Sequence, residues 1–400
     1  MKSLTPWGKV RMGVGNLPGT LLLILLFWVS TLDLLSQEKQ KPVELNGYLT
    51  TLESANFKSL SDPILFENIL HNRLNLKSYI GSKITFAFEV RNRLFTGDMV
   101  KTMGRAYSEM TGMDPGVIDM SWNILNENSF FLNTTVDRLW VDFNFNKFQA
   151  RIGRQRINWG QTFVWNPNDI FNAYSFFDVD YAERPGSDAI RLQYYPSFSS
   201  TIELAAKMDR DNDVTIAGLG RFNKWGYDIQ FLAGYDNSSD IVAGAGWSGS
   251  IGSVSFRGEG SWFHPLKSFS DTTGTTIITA GADKIFEDNS MVQVQLMYCN
   301  NPPAPGDFTS LYTGTLSAKD LAFSEFTAFG QFLWAATPLL NIGISGIWFP
   351  DLKGYFAGPS IDYSLAENLD FSLIWQHFDG EISGIKSRLN LGYLRIKFSF

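Results

Sequence analysis

Three sequence patterns contain residue types that bind cofactors or metal ions, and each lacks part of the site it would need. The glycines of segment 244–249 have the spacing of a dinucleotide-binding loop, but they lie in a predicted strand and turn with no helix after them. The aspartates of segment 209–213 begin like a calcium-binding loop, but Val214 stands where that loop needs glycine. Zinc sites need clustered ligands, whereas Cys299 is the only cysteine and the histidines are scattered: His71, His264 and His377. The sequence therefore predicts no metal ion and no cofactor.

A hydrolytic site needs a base beside a nucleophile, and one segment offers part of that chemistry. His377 is closely followed by Asp379 and Glu381, so a base and two carboxylates share the end of one predicted strand. No serine or second histidine is identifiable to complete a catalytic group with them. We therefore predict that the protein is not an enzyme, and a hydrolase is the less favoured alternative.

Charged side chains that alternate with apolar residues offer a different chemistry, the attraction and orientation of solutes. Arginines outnumber carboxylates on one set of neighbouring predicted strands, and charged side chains around a pore set its ion preference. We predict that eight residues line a channel: Lys83, Glu89, Arg91, Arg93, Arg138, Asp142, Arg151 and Arg191. The alternative is that these arginines pair with nearby carboxylates in a filled interior.

The segment 158–187 combines carboxylates with an aromatic density that is unusual for an exposed loop. If this loop folds against the arginine-rich strands, its acidic groups face them and narrow the space between. We predict a constriction loop that includes Trp165, Asp169, Asp178, Asp180 and Glu183. The alternative is an external platform on which aromatic rings and carboxylates bind a sugar or a partner.

Strands must position these residues, because apolar and polar side chains alternate with a period of two along most of the chain. In segment 83–93, isoleucine, phenylalanine and valine share one face, while lysine, glutamate and arginine share the other, with Ala87 as the exception. The pattern recurs in four further segments: 138–145, 201–209, 292–298 and 369–376. Each is typical of a half-buried strand. The chain contains about 18 such strands, and about 16 is the alternative count.

The connections between predicted strands fall into two classes. After even-numbered strands they are mostly tight turns, such as Gly81-Ser82 and Asn146-Lys147. After odd-numbered strands come the long connections: 96–131, 158–187 and 301–321. Short turns at one end and long loops at the other are typical of a transmembrane β-barrel. We predict an all-β, up-and-down antiparallel barrel with its apolar face toward lipid, both termini in the periplasm and the long loops outside the cell.

Composition agrees with a barrel in lipid and excludes several other classes. Of the 400 residues, 15% are aromatic and only 18% are charged, and the formal net charge is −7. A strongly basic nucleic-acid binder, a disordered chain and a disulfide scaffold are therefore excluded. After residue 36, no apolar stretch approaches the length of a membrane-spanning helix, which needs about 20 residues.

The first 36 residues have the pattern of a signal peptide. Lys2, Lys9 and Arg11 precede a short apolar run, and Ser36 is a small residue at the predicted cleavage position. We predict that residues 1–36 direct export and are removed. Residues 37–400 would then form a single barrel domain.

The last strand resembles the C-terminal signal of Gram-negative outer-membrane β-barrels. Leu394, Ile396, Phe398 and Phe400 alternate with polar residues, and the sequence ends at the aromatic ring of Phe400. The resemblance implies that Phe398 and Phe400 form an assembly signal read by the barrel assembly machinery. It also implies an outer-membrane location, in contact with membrane lipid and lipopolysaccharide.

A second resemblance involves the start of the aromatic segment. Gly153-Arg154-Gln155, followed by Trp159-Gly160, is similar to strands of alginate-export-type outer-membrane barrels. Eighteen strands is a typical size for those substrate-specific barrels. The segment Ser36-Gln37-Glu38 resembles the start of exported Bacteroidota proteins. Neither likeness identifies a substrate.

The sequence favours a porin-like channel for passive, moderately selective diffusion of small hydrophilic or anionic solutes. The alternative is a closed outer-membrane barrel that anchors a partner in an envelope, export or adhesion complex. Both interpretations share every sequence feature of the barrel. Association into a homo-oligomer or with an envelope protein complex is open under either one, and no nucleic-acid partner is expected.

Overall fold

The computed structural model describes residues 42–59, 61–181, 183–303 and 317–400. The segment Pro42–Phe400 forms one compact unit. The predicted signal peptide, with its cleavage site, lies outside the described residues. So does the middle of the predicted loop 301–321.

Nineteen strands make up most of the described chain. They are β1 (Val43–Phe57), β2 (Leu65–Ile80), β3 (Ile84–Gly97), β4 (Ser121–Asn126), β5 (Phe130–Phe145), β6 (Phe148–Gln155), β7 (Ser187–Ser197), β8 (Ser200–Met208), β9 (Val214–Lys224), β10 (Tyr227–Asp236), β11 (Asp240–Ile251), β12 (Val254–Pro265), β13 (Thr275–Ile285), β14 (Met291–Cys299), β15 (Phe326–Thr337), β16 (Leu340–Phe349), β17 (Gly354–Ala366), β18 (Leu369–Ile382) and β19 (Ile385–Ser399).

All of these strands except β4 form a closed antiparallel barrel. Each pairs with its neighbours in the chain, β3 pairs directly with β5, and β1 pairs with both β2 and β19. At the seam, the backbones of Gly47 and Phe400 exchange hydrogen bonds of 2.9 and 3.0 Å. Closure leaves none of these 18 strands at an open edge of the sheet, as a sheet in lipid requires. The prediction of an 18-stranded, all-β, up-and-down barrel is confirmed.

The connection between β3 and β5 contains structure that the sequence analysis did not predict. Two short helices, α1 (Asp98–Met103) and α2 (Arg105–Thr111), follow β3. β4 then pairs with residues 131–135 of β5, whereas β6 pairs only with residues 139–145. β4 therefore completes the wall beyond the point where β6 ends. No helix in the described part of the chain is both long and apolar enough to cross a membrane.

The two faces of the barrel have opposite chemistry. Outward positions hold large apolar side chains that are about half exposed, such as Phe231, Leu296 and Ile344. Inward positions hold fully buried polar groups, such as Gln230 and Glu259. This arrangement suits lipid outside and a polar interior.

One irregularity in β5 shapes the interior. The pairing of β3 with β5 shifts by one residue, so that Glu89 is opposite Arg138 and Val90 is opposite Val136. Asp137 is the extra residue of this bulge. A bulge re-aims side chains that strict alternation would send to opposite faces. Asp137 and Arg138 are accordingly both buried.

The short turns and the long connections lie at opposite ends of the barrel. Gly81, between β2 and β3, and Asn146, between β5 and β6, have positive φ angles of 64° and 57°. Glycine and asparagine tolerate this left-handed conformation, which tight hairpins need. Because the strands are antiparallel and sequential, the long connections collect at the other end. We call the two ends the turn end and the loop end.

Candidate functional site

The chain leaves the barrel wall at the Gly153-Arg154-Gln155 motif. Gly153 has a φ of 118°, and a Cβ there would lie 2.1 Å from the carbonyl oxygen of Leu139. Glycine is therefore required at this close approach. The buried side chain of Gln155 donates to the carbonyl oxygens of Arg151 at 3.1 Å and Ala189 at 3.0 Å. These bonds fix the end of β6 to β7, and the chain then turns inward.

The segment that follows, residues 156–186, bonds to inward-facing side chains on many strands, and we call it the inner loop. Its first contacts are with β8 and β10. Nε1 of Trp159 donates to Glu203 at 2.6 Å, and Nε2 of Gln230 donates to the carbonyl oxygen of Trp159 at 2.7 Å. The Trp159 ring is buried against Phe171, at a centroid distance of 4.9 Å. This aromatic residue therefore anchors the loop to one wall.

A carboxylate on β12 holds the middle of the inner loop. Glu259 accepts hydrogen bonds from the backbone amides of Gln161 at 2.5 Å and Asn168 at 3.3 Å. Asn168 in turn accepts a hydrogen bond of 2.7 Å from Ser261. One buried side chain thus satisfies two backbone amides of the loop, which fixes the path of the loop at this point.

A glutamine on β14 adds a second anchor. Oε1 of Gln295 accepts from the amides of Phe163 at 3.2 Å and Val164 at 2.9 Å. Nε2 of the same side chain donates to the carbonyl oxygen of Trp165 at 3.1 Å. One side chain thus satisfies three backbone groups of the loop, which would otherwise be costly to bury.

Aromatic rings pack the inner loop against the strands after β14. The ring of Phe177 lies 5.1 Å from that of Phe356 and 5.0 Å from that of Phe378. Trp165 lies 6.4 Å from Phe329 in an edge-on arrangement. These contacts belong to a buried apolar cluster that includes Ile347, Phe349 and Leu391. The aromatic density that stood out in the sequence is explained by burial inside the barrel.

The inner loop then reaches the opposite wall, formed by β1 to β3. Oδ1 of Asp180 accepts from Nδ1 of His71 at 3.1 Å, and its Oδ2 lies 3.6 Å from Nη1 of Arg93. Glu183 accepts from the hydroxyl of Tyr48 at 3.1 Å. Contacts with β8 and β12 at one point and with β1 to β3 at another mean that the loop crosses the lumen.

Two carboxylates of the inner loop have shifted pKa values of opposite sign. Burial raises the pKa of Asp169 to about 7, and nearby Arg156 only partly offsets this effect. Burial also acts to raise the pKa of Asp180, but the hydrogen bond from His71 and the charges of His71 and Arg93 outweigh it and hold that pKa below its usual range. Asp178 is exposed, and its Oδ1 accepts from the amides of Asp180 and Tyr181.

The arginines nearest the inner loop are paired with carboxylates. Arg73, which is fully buried, contacts Asp137 and lies 2.6 Å from Glu89. The guanidinium of Arg91 stacks on the ring of Tyr181 at 3.8 Å and lies 3.8 Å from Asp137. The bulge residue Asp137 thus lies between two arginines of the wall.

Arg138 binds the backbone of the inner loop. Its guanidinium donates to the carbonyl oxygens of Glu183 at 3.1 Å and Arg184 at 2.6 Å. It also donates to the carbonyl oxygen of Asp137 at 2.8 Å. In this position Arg138 holds the end of the loop against the wall.

Nearer the turn end, the arginines are paired but accessible. Arg151 lies 2.9 Å from Asp142, and Arg191 lies 2.7 Å from Glu203. The two arginine side chains are 24% and 18% exposed, respectively. Lys83 lies apart from both, in the turn between β2 and β3, with Nζ 6.0 Å from the centroid of the outward-facing Phe145 ring.

Several residues that organise the lumen are absent from the predicted site. Arg73 is one of them, and Asp137 is another, because the bulge at Asp137 breaks the period-two pattern. Glu203 and Glu259 occupy polar positions in mid-strand, and the alternation predicts both to face inward, although neither is among the eight predicted lining residues. Arg154 faces outward and is bound by Asp114 at 2.6 Å and Asp188 at 2.7 Å, which lie in the loop after α2 and on β7.

The less favoured sites of the sequence analysis are not assembled. His377 hydrogen-bonds Asn390 at 2.7 Å, while Asp379 and Glu381 form salt bridges with Arg388 and Lys353. The aspartates of segment 209–213 stabilise their own turn, in which Oδ1 of Asp209 accepts hydrogen bonds from the backbone amides of Asp211 and Asp213. Among the described residues, no group of histidine, cysteine and carboxylate side chains could hold a metal ion.

Comparison with known proteins adds a structural result. No family model matches the sequence, and no curated protein is similar to it. The structure is similar to OccAB4 of Acinetobacter baumannii, with a TM-score of 0.58 and 10% identity over 90% of this chain and 99% of that one. The fold is that of the Occ/Opd outer-membrane porins.

Two Pseudomonas aeruginosa porins show the same likeness. OccK2 (OpdF) matches with a TM-score of 0.57 and 8% identity, over 90% of this chain and 97% of that chain. OccD3 (OpdP) matches with a TM-score of 0.53 and 10% identity, over 89% and 91%. At these identities the likeness concerns the fold, and the lumen of this porin fold must be judged by its own residues.

Proposed function

We propose that this protein is an outer-membrane channel for passive, moderately selective diffusion of small hydrophilic or anionic solutes. The observation that carries the proposal is the inner loop, which crosses a polar lumen beside a wall rich in arginine. In this proposal Trp165, Asp169, Asp178, Asp180 and Glu183 belong to the constriction. The predicted lining residues other than Lys83 form or support the facing wall.

Accessible charge in the lumen supports a preference for anions. Arg151, Arg191, Arg257 and Arg395 point inward and are 18–28% exposed, although each lies near a carboxylate. Buried pairs such as Arg73 with Asp137 are neutral overall and contribute little to the field. A wall of this kind gives a modest preference rather than strict selection.

The environment of the channel follows from the fold. We propose that the turn end and both termini face the periplasm, and that the long loops face outside. Phe398 and Phe400 lie at the seam between β19 and β1, where an assembly signal can be read before closure. Contacts with lipopolysaccharide and with the assembly machinery, and the absence of catalysis, belong to the same proposal.

A closed barrel is the second candidate, and a specific observation favours it. Three buried apolar clusters line the loop-end half of the barrel, and two of them include residues of the inner loop. If these clusters fill the lumen, no solute can pass, and the barrel would then serve as a scaffold that binds a partner through its loops.

Conductance separates the two candidates. Purified protein in a planar bilayer should give discrete current steps, and a salt gradient should give a reversal potential of the sign expected for anions. Protein that is folded, as judged by heat-modifiable migration, but carries no current would overturn the channel and favour the closed barrel.

A further inference from the structure

A groove of about 880 Å³ lies on the outer surface of the barrel at the turn end. Its lining extends from Ser253 in the β11–β12 turn, past the β13–β14 turn, to Phe332 and Trp334 on β15. Its lining combines aromatic rings with both signs of charge: Lys284, Phe286, Glu287, Asp288, Phe332 and Trp334. The outward face of a barrel strand is normally apolar, so Lys284, which belongs to β13, needs an explanation, whereas Glu287 and Asp288 lie in the β13–β14 turn.

Lys284 is placed among lipid-facing residues by the register of the sheet. It is paired with Val292, which is paired with Phe332, and all three alternate with inward side chains. Its Nζ lies 5.3 Å from the centroid of the Phe286 ring. It forms no salt bridge with any described residue. A lysine at such a position must reach the headgroup region of the bilayer.

The carboxylates of the groove differ from each other. Asp288 is satisfied by the amide and hydroxyl of Ser290, both at 3.0 Å. Glu287 is exposed and makes no hydrogen bond or salt bridge within the described part of the chain. The groove therefore presents a cation and an anion that do not pair with each other.

A ligand with a phosphate and an ammonium group complements this arrangement. We propose that the groove binds one phospholipid of the phosphatidylethanolamine class. Lys284 binds the phosphate, Glu287 accepts from the primary ammonium, and the rings of Phe332 and Trp334 pack on the acyl chains. This inference rests on the proposed outer-membrane location, since it requires the turn end to lie at a phospholipid leaflet.

Other lysines at the turn end mark the headgroup level but lack such a groove. Nζ of Lys224 lies 4.4 Å from the ring of Trp225, which is 80% exposed, and Lys83 is placed similarly over Phe145. Aromatic side chains with basic partners are typical of the membrane interface. Lys224 is therefore a matched control, with the same charge and ring contact but outside the groove.

Native mass spectrometry of the full protein, incubated in detergent with phosphatidylethanolamine, phosphatidylcholine or phosphatidylglycerol of identical chains, tests the site. Wild type should retain phosphatidylethanolamine best. Lys284→Gln should reduce retention of all three lipids about tenfold, as loss of a charge-assisted hydrogen bond predicts. Glu287→Gln should lower phosphatidylethanolamine to the level of phosphatidylcholine, and Lys224→Gln should have little effect.

Two results would overturn the site. Equal losses in Lys284→Gln and Lys224→Gln would mean general charge attraction, and a preference of wild type for phosphatidylglycerol would exclude the role of Glu287. Lipid retention does not depend on current through the lumen. Failure here with normal conductance would therefore remove this inference and leave the channel proposal intact.

Discussion

Arg151 on β6 and Asp142 on β5 form a salt bridge that faces the lumen. Both charges contribute to the electrostatic potential in the same accessible part of the lumen. The arginine is 24% exposed and the carboxylate 7%, so the cation is the more accessible partner. Removing one member leaves the charge of the other uncompensated. Neutralising the arginine and neutralising the aspartate should therefore have opposite effects on the preference for anions over cations.

Arg151→Gln should lower the anion-to-cation permeability ratio, and Asp142→Asn should raise it. A unit charge about 8 Å from an ion in water contributes about 0.5 kcal/mol. The effect has opposite sign for an anion and a cation, so the permeability ratio should change by about 1 kcal/mol, which is about fivefold. Reversal potentials below 0.1 M salt would measure this, because screening acts over about 10 Å at that concentration. The outward-facing Lys224→Gln is the control, and equal shifts in all three variants would contradict the assignment.

Asp169 is the carboxylate of the inner loop that burial disfavours most clearly as an anion. Burial raises its pKa from an ordinary value of 3.8 to about 7. Ionising Asp169 in the folded protein therefore costs about 4 kcal/mol more than ionising it in the unfolded chain. Between these pH values the folded protein keeps the proton and the unfolded chain has lost it. Stability should therefore fall as pH rises from about 4 to 7, and stay lower above pH 7.

Asp169→Asn removes this dependence. The variant should be more thermally stable than wild type at pH 8, and the difference should shrink toward pH 4. Unfolding midpoints measured across this range provide the check. A difference that is the same at both ends would mean that the carboxyl group does not titrate in this way.

At the scale of elements, the strands were predictable and the interior connections were not. Alternation along 18 strands depends on one local property, whether each side chain faces lipid or the lumen. The bulge at Asp137 depends on how β5 pairs with β3. The pairing of β4 depends on the edge of β5 that β6 leaves free. The residues of one segment do not specify how that segment pairs with another. The inner loop was found through its aromatic residues, but its anchors on β8, β12 and β14 come from distant parts of the chain.

Glu259 is the anchor whose loss should free the inner loop most directly. Glu259→Ala removes the acceptor of two backbone amides, and leaving a buried amide without a partner costs about 1–3 kcal/mol. Single-channel traces should become noisier, with transient larger openings. Glu259→Gln keeps one acceptor oxygen and should behave between the alanine variant and wild type. Traces of equal noise in all three proteins would show that Glu259 does not hold the loop.

At the scale of the whole molecule, the orientation of the barrel can be tested at its two ends. Asp211 lies in a turn at the loop end and Lys224 borders a turn at the other, and both are exposed. On intact cells, a membrane-impermeant thiol reagent should label Asp211→Cys and leave Lys224→Cys unlabelled. Wild type should not react, since Cys299 is buried. Labelling at position 224 alone would invert the proposed topology.

At the scale of the whole molecule, the proposed channel requires the inner loop to be the constriction of an open lumen. Replacing residues 157–185 with a short glycine-serine linker removes the crossing segment and its anchors on both walls, and the linker then joins the adjacent strands β6 and β7. Single-channel conductance of this variant, compared with wild type in the same planar bilayer, is the most direct measurement. We predict a conductance several times that of wild type, with heat-modifiable migration retained. A folded variant with unchanged conductance would contradict the account.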